Sequence, residues 1–191
     1  YVRQIVVNLS SIFNVSVMSV RYTRYLTEQI KPWLFMNKVI MIYGARQVGK
    51  TTVAKYLIAD DSANVYLNCE LGQVKSLLEE LNPANVKSLV GNARMVVLDE
   101  AQKITNIGTV LKLLVDTYPD VQWIATGSSS FDLSNQVNEP LTGRNVKFVM
   151  YPLALQELEQ QYNRLDINAR LESFLRFGMY PDIIDRSEGQ Q

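Results

Sequence analysis

The chain has 191 residues, 47% of them apolar, which suits one domain with a sizeable core plus a small appendage. A single cysteine, Cys69, excludes an internal disulfide and fits a reducing, cytoplasmic setting; the lack of histidine excludes His-based metal sites and Ser–His or Cys–His catalysis. Net charge is zero but uneven: residues 1–59 carry eight Lys/Arg against one acid, Glu28, giving +7, and residues 60–191 carry 11 bases against 18 acids, giving −7.

Residues 4–20 carry no charge and are half apolar, but Asn8, Ser10, Ser11, Asn14, Ser16 and Ser19 interrupt the run. It is too polar and too short for a membrane span, so no membrane partner is expected. Residues 1–20 read as an extension outside the core, with Met18 an alternative start. Tyr22, Tyr25, Leu26 and Ile30 then make a helical apolar stripe ended by Pro32. Arg21, Arg24, Lys31 and Lys38 form a basic surface that could face nucleic acid, phosphates or an acidic partner, or simply be solvated.

Val39-Ile40-Met41-Ile42-Tyr43 is a continuous apolar run, as expected of a strand buried on both faces. It leads into Gly44-Ala45-Arg46-Gln47-Val48-Gly49-Lys50-Thr51, a full match to the G-x-x-x-x-G-K-[ST] phosphate loop, followed by Thr52 and a helix with Val53, Leu57 and Ile58 on one face. Glycines let backbone N–H groups converge on phosphate oxygens at a helix N-terminus. Lys50 reaches the β- and γ-phosphates, and the Thr51 hydroxyl is placed to ligate Mg²⁺.

Downstream, Val65-Tyr66-Leu67-Asn68 reads as a second strand, with Cys69 at its end as a small packing residue. Met95-Val96-Val97-Leu98-Asp99-Glu100 is an apolar strand ending in two carboxylates: Asp99 suits Mg²⁺, and Glu100 suits activation of a water. Val121 to Ser129 contains a further short strand ending in hydroxyls, where Thr126 or Ser128 would stand between the two motifs and hold the attacking water; the sequence does not rank them. The only Asn-Lys pair, Asn37-Lys38, continues Val39-Ile40, so the guanine-reading Asn-Lys-x-Asp signature is missing. With Glu100 beside Asp99, the pattern favours ATP hydrolysis over phosphoryl transfer to a second substrate. A nucleotide kinase would need convergent arginines, and Arg164, Arg170, Arg176 and Arg186 are spread over presumed helices.

These blocks, Gly44 to Thr52, Leu98 to Lys103 and Thr126 to Ser129, with Leu141-Thr142-Gly143-Arg144, together resemble an AAA-type P-loop ATPase, closest to the prokaryotic archaeal-type ATPases, over about residues 21–184. Ala45 stands where that family often has Pro, and Met179 replaces the second Gly of a Tyr-Gly-Gly-Tyr-Pro-like turn, so no function is carried onto that turn. The resemblance implies a three-layer α/β/α fold with parallel strand order 5-1-4-3-2, an ATPase core over 21–151 and part of a helical lid over 152–191. Core strands are expected near 39–43, 65–68, 95–99, 122–126 and 146–150, with helices near 50–59, 72–81, 107–118 and 131–135. It also implies ATP/ADP and Mg²⁺ as ligands, a homo-oligomer, and an arginine finger at Arg144 acting in trans, the alternative being a surface Arg or one paired with Glu139. Ile30 and Lys31 are adenine-pocket candidates beside plain packing. Family members usually continue into a C-terminal domain, so this chain reads as a fragment of a longer protein. A nucleotide-gated signalling or assembly switch with slow hydrolysis is the alternative function.

Overall fold

Five apolar segments pair into one sheet: β1 (Val39–Gly44), β2 (Val65–Asn68), β3 (Met95–Asp99), β4 (Gln122–Gly127) and β5 (Asn145–Met150). Their order is β2-β3-β4-β1-β5, all pairs parallel, which is the expected 5-1-4-3-2 arrangement. The computed structural model describes residues 22–80, 83–128 and 140–186, without the side chains of 83, 84, 185 and 186. The proposed extension at 1–20 and the helix expected at 131–135 lie outside those residues.

Parallel strands need long crossovers, and helices supply them on both faces. On one face Met41, Tyr43, Val96, Leu98 and Trp123 pack against α3 (Gly72–Glu79), α4 (Pro83–Val90) and α5 (Ile107–Thr117). On the other, Ile40, Ile42, Val97 and Ile124 meet Ile30 of α1 (Tyr25–Ile30) and Val53 and Ala54 of α2 (Lys50–Leu57). The alternation of strand residues between the two clusters is the period-2 geometry of a strand. A third, smaller core joins Tyr22 and Leu153 to Leu158 of α6 (Leu155–Leu158), Ile167 of α7 (Arg164–Ala169), Phe174 of α8 (Leu171–Phe177) and Ile184 of α9 (Pro181–Arg186). This is the helical lid.

Three expectations need correction. The helix α4 was not anticipated: its Pro83 sits at the first helical position, where a missing N–H costs nothing, and Val86 and Val90 supply the buried face. Tyr25 lies on the solvent side of α1, while Arg24, Thr27 and Ile30 are buried at a spacing of three; the buried face contains two polar residues that hydropathy does not register. The basic surface is also smaller than charge alone suggests. Arg24 is only 7% exposed. Lys31 pairs with Glu28 at 2.6 Å, and the Lys38 ammonium lies over the Trp33 ring. Ile30 belongs to the core, so packing is its role here.

Gly44 ends β1 opposite Met150 of β5. A Cβ built there would lie 2.2 Å from the Met150 carbonyl oxygen, a backbone atom that cannot swing aside. Gly44→Ala is expected to lower stability by about 1–3 kcal/mol, the usual cost of forced overpacking. Urea unfolding reads it, and an unchanged midpoint would show that β1 and β5 can separate freely at this end.

Candidate active site

The loop 45–49 crosses the C-terminal edge of the sheet between β1 and α2. Two left-handed residues make its turn: Gln47 (φ 64°) and Gly49 (φ 98°), the residue that precedes α2. Lys50 is buried, and its ammonium donates to the carbonyls of Gly44 (3.0 Å) and Ala45 (2.7 Å). Burial lowers its pKa; the charges of Glu100 and Asp99 oppose that, and Arg46 adds to it.

Asp99, at the end of β3, is 4% exposed. A buried carboxylate needs hydrogen bonds in place of water, and three hydroxyls from three elements provide them. Thr51 Oγ1 of α2 donates at 2.9 and 3.0 Å, Tyr66 of β2 at 2.6 Å, and Thr126 of β4 at the nearest oxygen. Pairing of Ile42 with Thr126 and of Asn68 with Asp99 sets this register. Burial first, and then the bond to Asp99, pushes the Tyr66 phenol pKa far up, so it stays a donor.

Glu100 follows with a left-handed backbone (φ 54°), a conformation that costs a non-glycine residue about 1 kcal/mol and clusters at functional sites. Its N–H donates to Thr126 Oγ1 at 3.1 Å. Its carboxylate accepts from Gln102 Nε2, which also donates to Ser128 Oγ at 3.0 Å. Thr126 and Ser128, equivalent in the sequence, thus hold different things: Thr126 the Asp99 carboxylate and the Glu100 backbone, Ser128 the amide that fixes the Glu100 side chain.

The phosphate loop, Thr51, Asp99, Glu100, Thr126 and Ser128 are therefore together at one sheet edge. Arg144 is not among them. It precedes β5 at the opposite edge, where Asn145 pairs with Val39, and its guanidinium donates to Asp116 of α5 at 2.8 Å in an exposed pair. Glu139, the other suggested partner, lies outside the described residues. Arg164 pairs with Glu159, Arg170 stacks over Tyr162 and Arg176 over Phe177, so these three do not converge as a kinase lid requires. Tyr66 and Gln102 were missed as site residues. Gln102 could have been found from its place in the Leu98 to Lys103 block, while a Tyr inside an apolar strand carries no such signal. Cys69 is buried with its thiol pKa pushed up to about 12, chiefly by burial, as a packing residue should be.

Among the described residues no group of three or more His, Cys, Asp or Glu side chains is arranged to hold a metal. The Thr51 hydroxyl and the Asp99 carboxylate, in direct contact, still fit Mg²⁺, which is commonly held by one or two carboxylates with waters and substrate phosphates.

A phosphate loop between strand and helix, beside an acidic strand end in a 5-1-4-3-2 parallel sheet, defines a P-loop nucleoside triphosphatase fold. Residues 36–159 match the family described as AAA domain, and the chain belongs to that family. Membership supports a general role in ATP binding and hydrolysis. The chain is 28% identical over 177 residues to an uncharacterized protein of Methanocaldococcus jannaschii, covering 84% of this chain and 39% of that protein. It is 30% identical over 107 residues to an uncharacterized protein of Mycobacterium tuberculosis, covering 56% and 23%. The chain thus spans well under half the length of these relatives. Its fold is similar to a Walker-type ATPase of Pyrococcus abyssi (TM-score 0.56, 15% identity, 86% of this chain and 71% of that one). It is also similar to AMPPCP-bound DnaA from Aquifex aeolicus (TM-score 0.51, 12% identity, 86% and 58%). Among the described residues no helix is long and apolar enough to cross a membrane.

Tyr66→Phe removes one of the three hydroxyls on a buried charged carboxylate. It is expected to cost about 1.5–3 kcal/mol, read by denaturant unfolding; a loss within error would mean that Asp99 does not depend on β2.

Proposed function

We propose that this chain binds Mg²⁺-ATP and hydrolyses its β–γ phosphoanhydride to ADP. The observation that best supports it is the contact of Thr51 with Asp99, which joins the phosphate loop to the acidic strand end. Backbone groups of Gly44, Ala45, Arg46, Gln47, Val48, Gly49, Lys50, Thr51 and Thr52 enclose the phosphates. Lys50 exchanges the Gly44 and Ala45 carbonyls for the β- and γ-phosphate oxygens, and phosphate charge offsets the penalty that burial places on its ammonium. Thr51 and Asp99 would hold Mg²⁺, which neutralises charge on the β- and γ-oxygens when bound.

Glu100 takes a proton from the water whose oxygen bonds to the γ-phosphorus as the bond to the bridging oxygen breaks. Gln102, held against Ser128, keeps the Glu100 carboxylate in place, and Thr126 fixes its backbone. Arg144 faces away from its own site, so a role in hydrolysis requires a neighbouring copy in a homo-oligomer. A cytoplasmic location suits the need for ATP. Of the basic residues that could face nucleic acid, Arg24 is buried and Lys31 is paired with Glu28, while Arg21 lies outside the described residues.

Glu100→Gln is expected to retain ATP and to lower turnover by about 10²–10⁴-fold, measured by phosphate release and by nucleotide binding; normal turnover would refute the assignment. Slow wild-type turnover with ATP-dependent assembly would instead favour the switch. Arg144→Ala is expected to keep ATP affinity and to lose about 10³-fold or more in turnover, with wild-type specific activity rising with protein concentration. Turnover that ignores both would reject the trans role.

A further inference from the structure

Among the described residues Arg24 is the one buried cation besides Lys50. It precedes α1, and its guanidinium serves three separate stretches of chain. Nη1 donates to the Val48 carbonyl of the phosphate loop at 2.6 Å. Nη2 donates to the carbonyls of Tyr151 (2.7 Å) and Pro152 (3.4 Å), where β5 passes into the lid. Nε pairs with Glu157 of α6 at 3.0 Å, with the two side chains 8% and 5% exposed. Glu157 is itself fixed by the N–H groups of Tyr25 (2.8 Å) and Ala154 (3.0 Å).

The peptide after Val48 is planar and trans, so its C=O and the following N–H point in opposite directions. With the Val48 carbonyl held outward against Arg24, the Gly49 N–H is turned to the inner side of the loop. The Arg24 Nη1 atom lies only 3.5 Å from where a Gly49 Cβ would stand, so the guanidinium rests directly on this turn. A shift of α6 therefore pulls on Glu157, then on Arg24, then on the tilt of that peptide.

We propose that Arg24 is a positioning residue that couples the phosphate loop to the helical lid: it aims the Gly49 amide at a bound phosphate and ties that aim to the seat of Glu157. The proposal rests on the nucleotide reading above. Arginine is required because one planar fork reaches acceptors in three stretches of chain at fixed angles, which a lysine ammonium on a flexible stem does not.

The test compares wild type, Lys50→Ala and Arg24→Lys in the full chain. Mg²⁺-ADP is titrated by calorimetry, and amide hydrogen exchange over residues 151–158 is followed with and without ADP. Arg24→Lys keeps a charge opposite Glu157 and is expected to weaken ADP binding about tenfold or more, since a Gly49 amide no longer aimed loses its charge-assisted hydrogen bond to phosphate, worth about a factor of ten. ADP is also expected to stop altering exchange over 151–158. A purely structural Arg24 would lower stability but leave ADP affinity and the exchange response at wild-type values, and that result overturns the proposal. If Arg24→Lys does not fold, the paired variant Arg24→Met with Glu157→Met removes both charges and is read in the same way. Wild type that fails to bind ADP rejects the nucleotide reading and the coupling with it. Wild type that binds and loses binding in Lys50→Ala, beside an unaltered Arg24→Lys, rejects the coupling alone.

Discussion

A carboxylate taken out of water must be repaid in hydrogen bonds, and the arrangement around Asp99 follows from that. At the end of β3 it collects hydroxyls from α2, β2 and β4. Each bond fixes a distance between elements far apart in the sequence. The strand pairing brings Thr126 and Tyr66 alongside, and the turn through Gly44 and Gly49 brings Thr51 over the top. Misplacing any one of them leaves a buried charge short of a partner, which costs more than a typical packing fault. The site is therefore also a clamp on the sheet.

A second buried charge works on the other side of the phosphate loop. The Arg24–Glu157 pair is weak as a source of stability, because desolvation offsets most of its attraction. Its value lies in geometry: a fork with fixed angles determines where the loop, the end of β5 and α6 sit relative to one another. The inside of the loop thus faces the Asp99 cluster, and its outside faces the lid. The two polar networks meet at consecutive loop residues, Val48 through Thr51.

Much of this was legible in the sequence for one reason: strands buried on both faces read as unbroken apolar runs, and the residues just past their ends read as chemistry. Val39–Tyr43 followed by a Gly-rich turn, and Met95–Leu98 followed by Asp99 and Glu100, are such cases. Other features stayed hidden because their meaning depends on three dimensions. Tyr66 looks like any strand aromatic and pairs with Val97; only the reach of its hydroxyl to Asp99, two residues further along β3, makes it a support for that carboxylate. Arg24 reads as a surface charge until its partners from 24 and 133 residues away close around it. Thr126 and Ser128 part company only in three dimensions, where one faces a carboxylate and the other an amide. Pro83 disguised α4, since the same residue ends helices and begins them.

The all-parallel sheet has a consequence for how the protein is made. β1 is apolar and buried from Val39 to Tyr43, yet its neighbours are β4 and β5. The first of these begins only at Gln122, so about 80 residues must be synthesised after β1 before it gains an edge to pair with, some 4–16 s at ~5–20 residues per second. For that interval the nascent chain carries an apolar strand with neither of its edge partners, in the segment directly ahead of the phosphate loop.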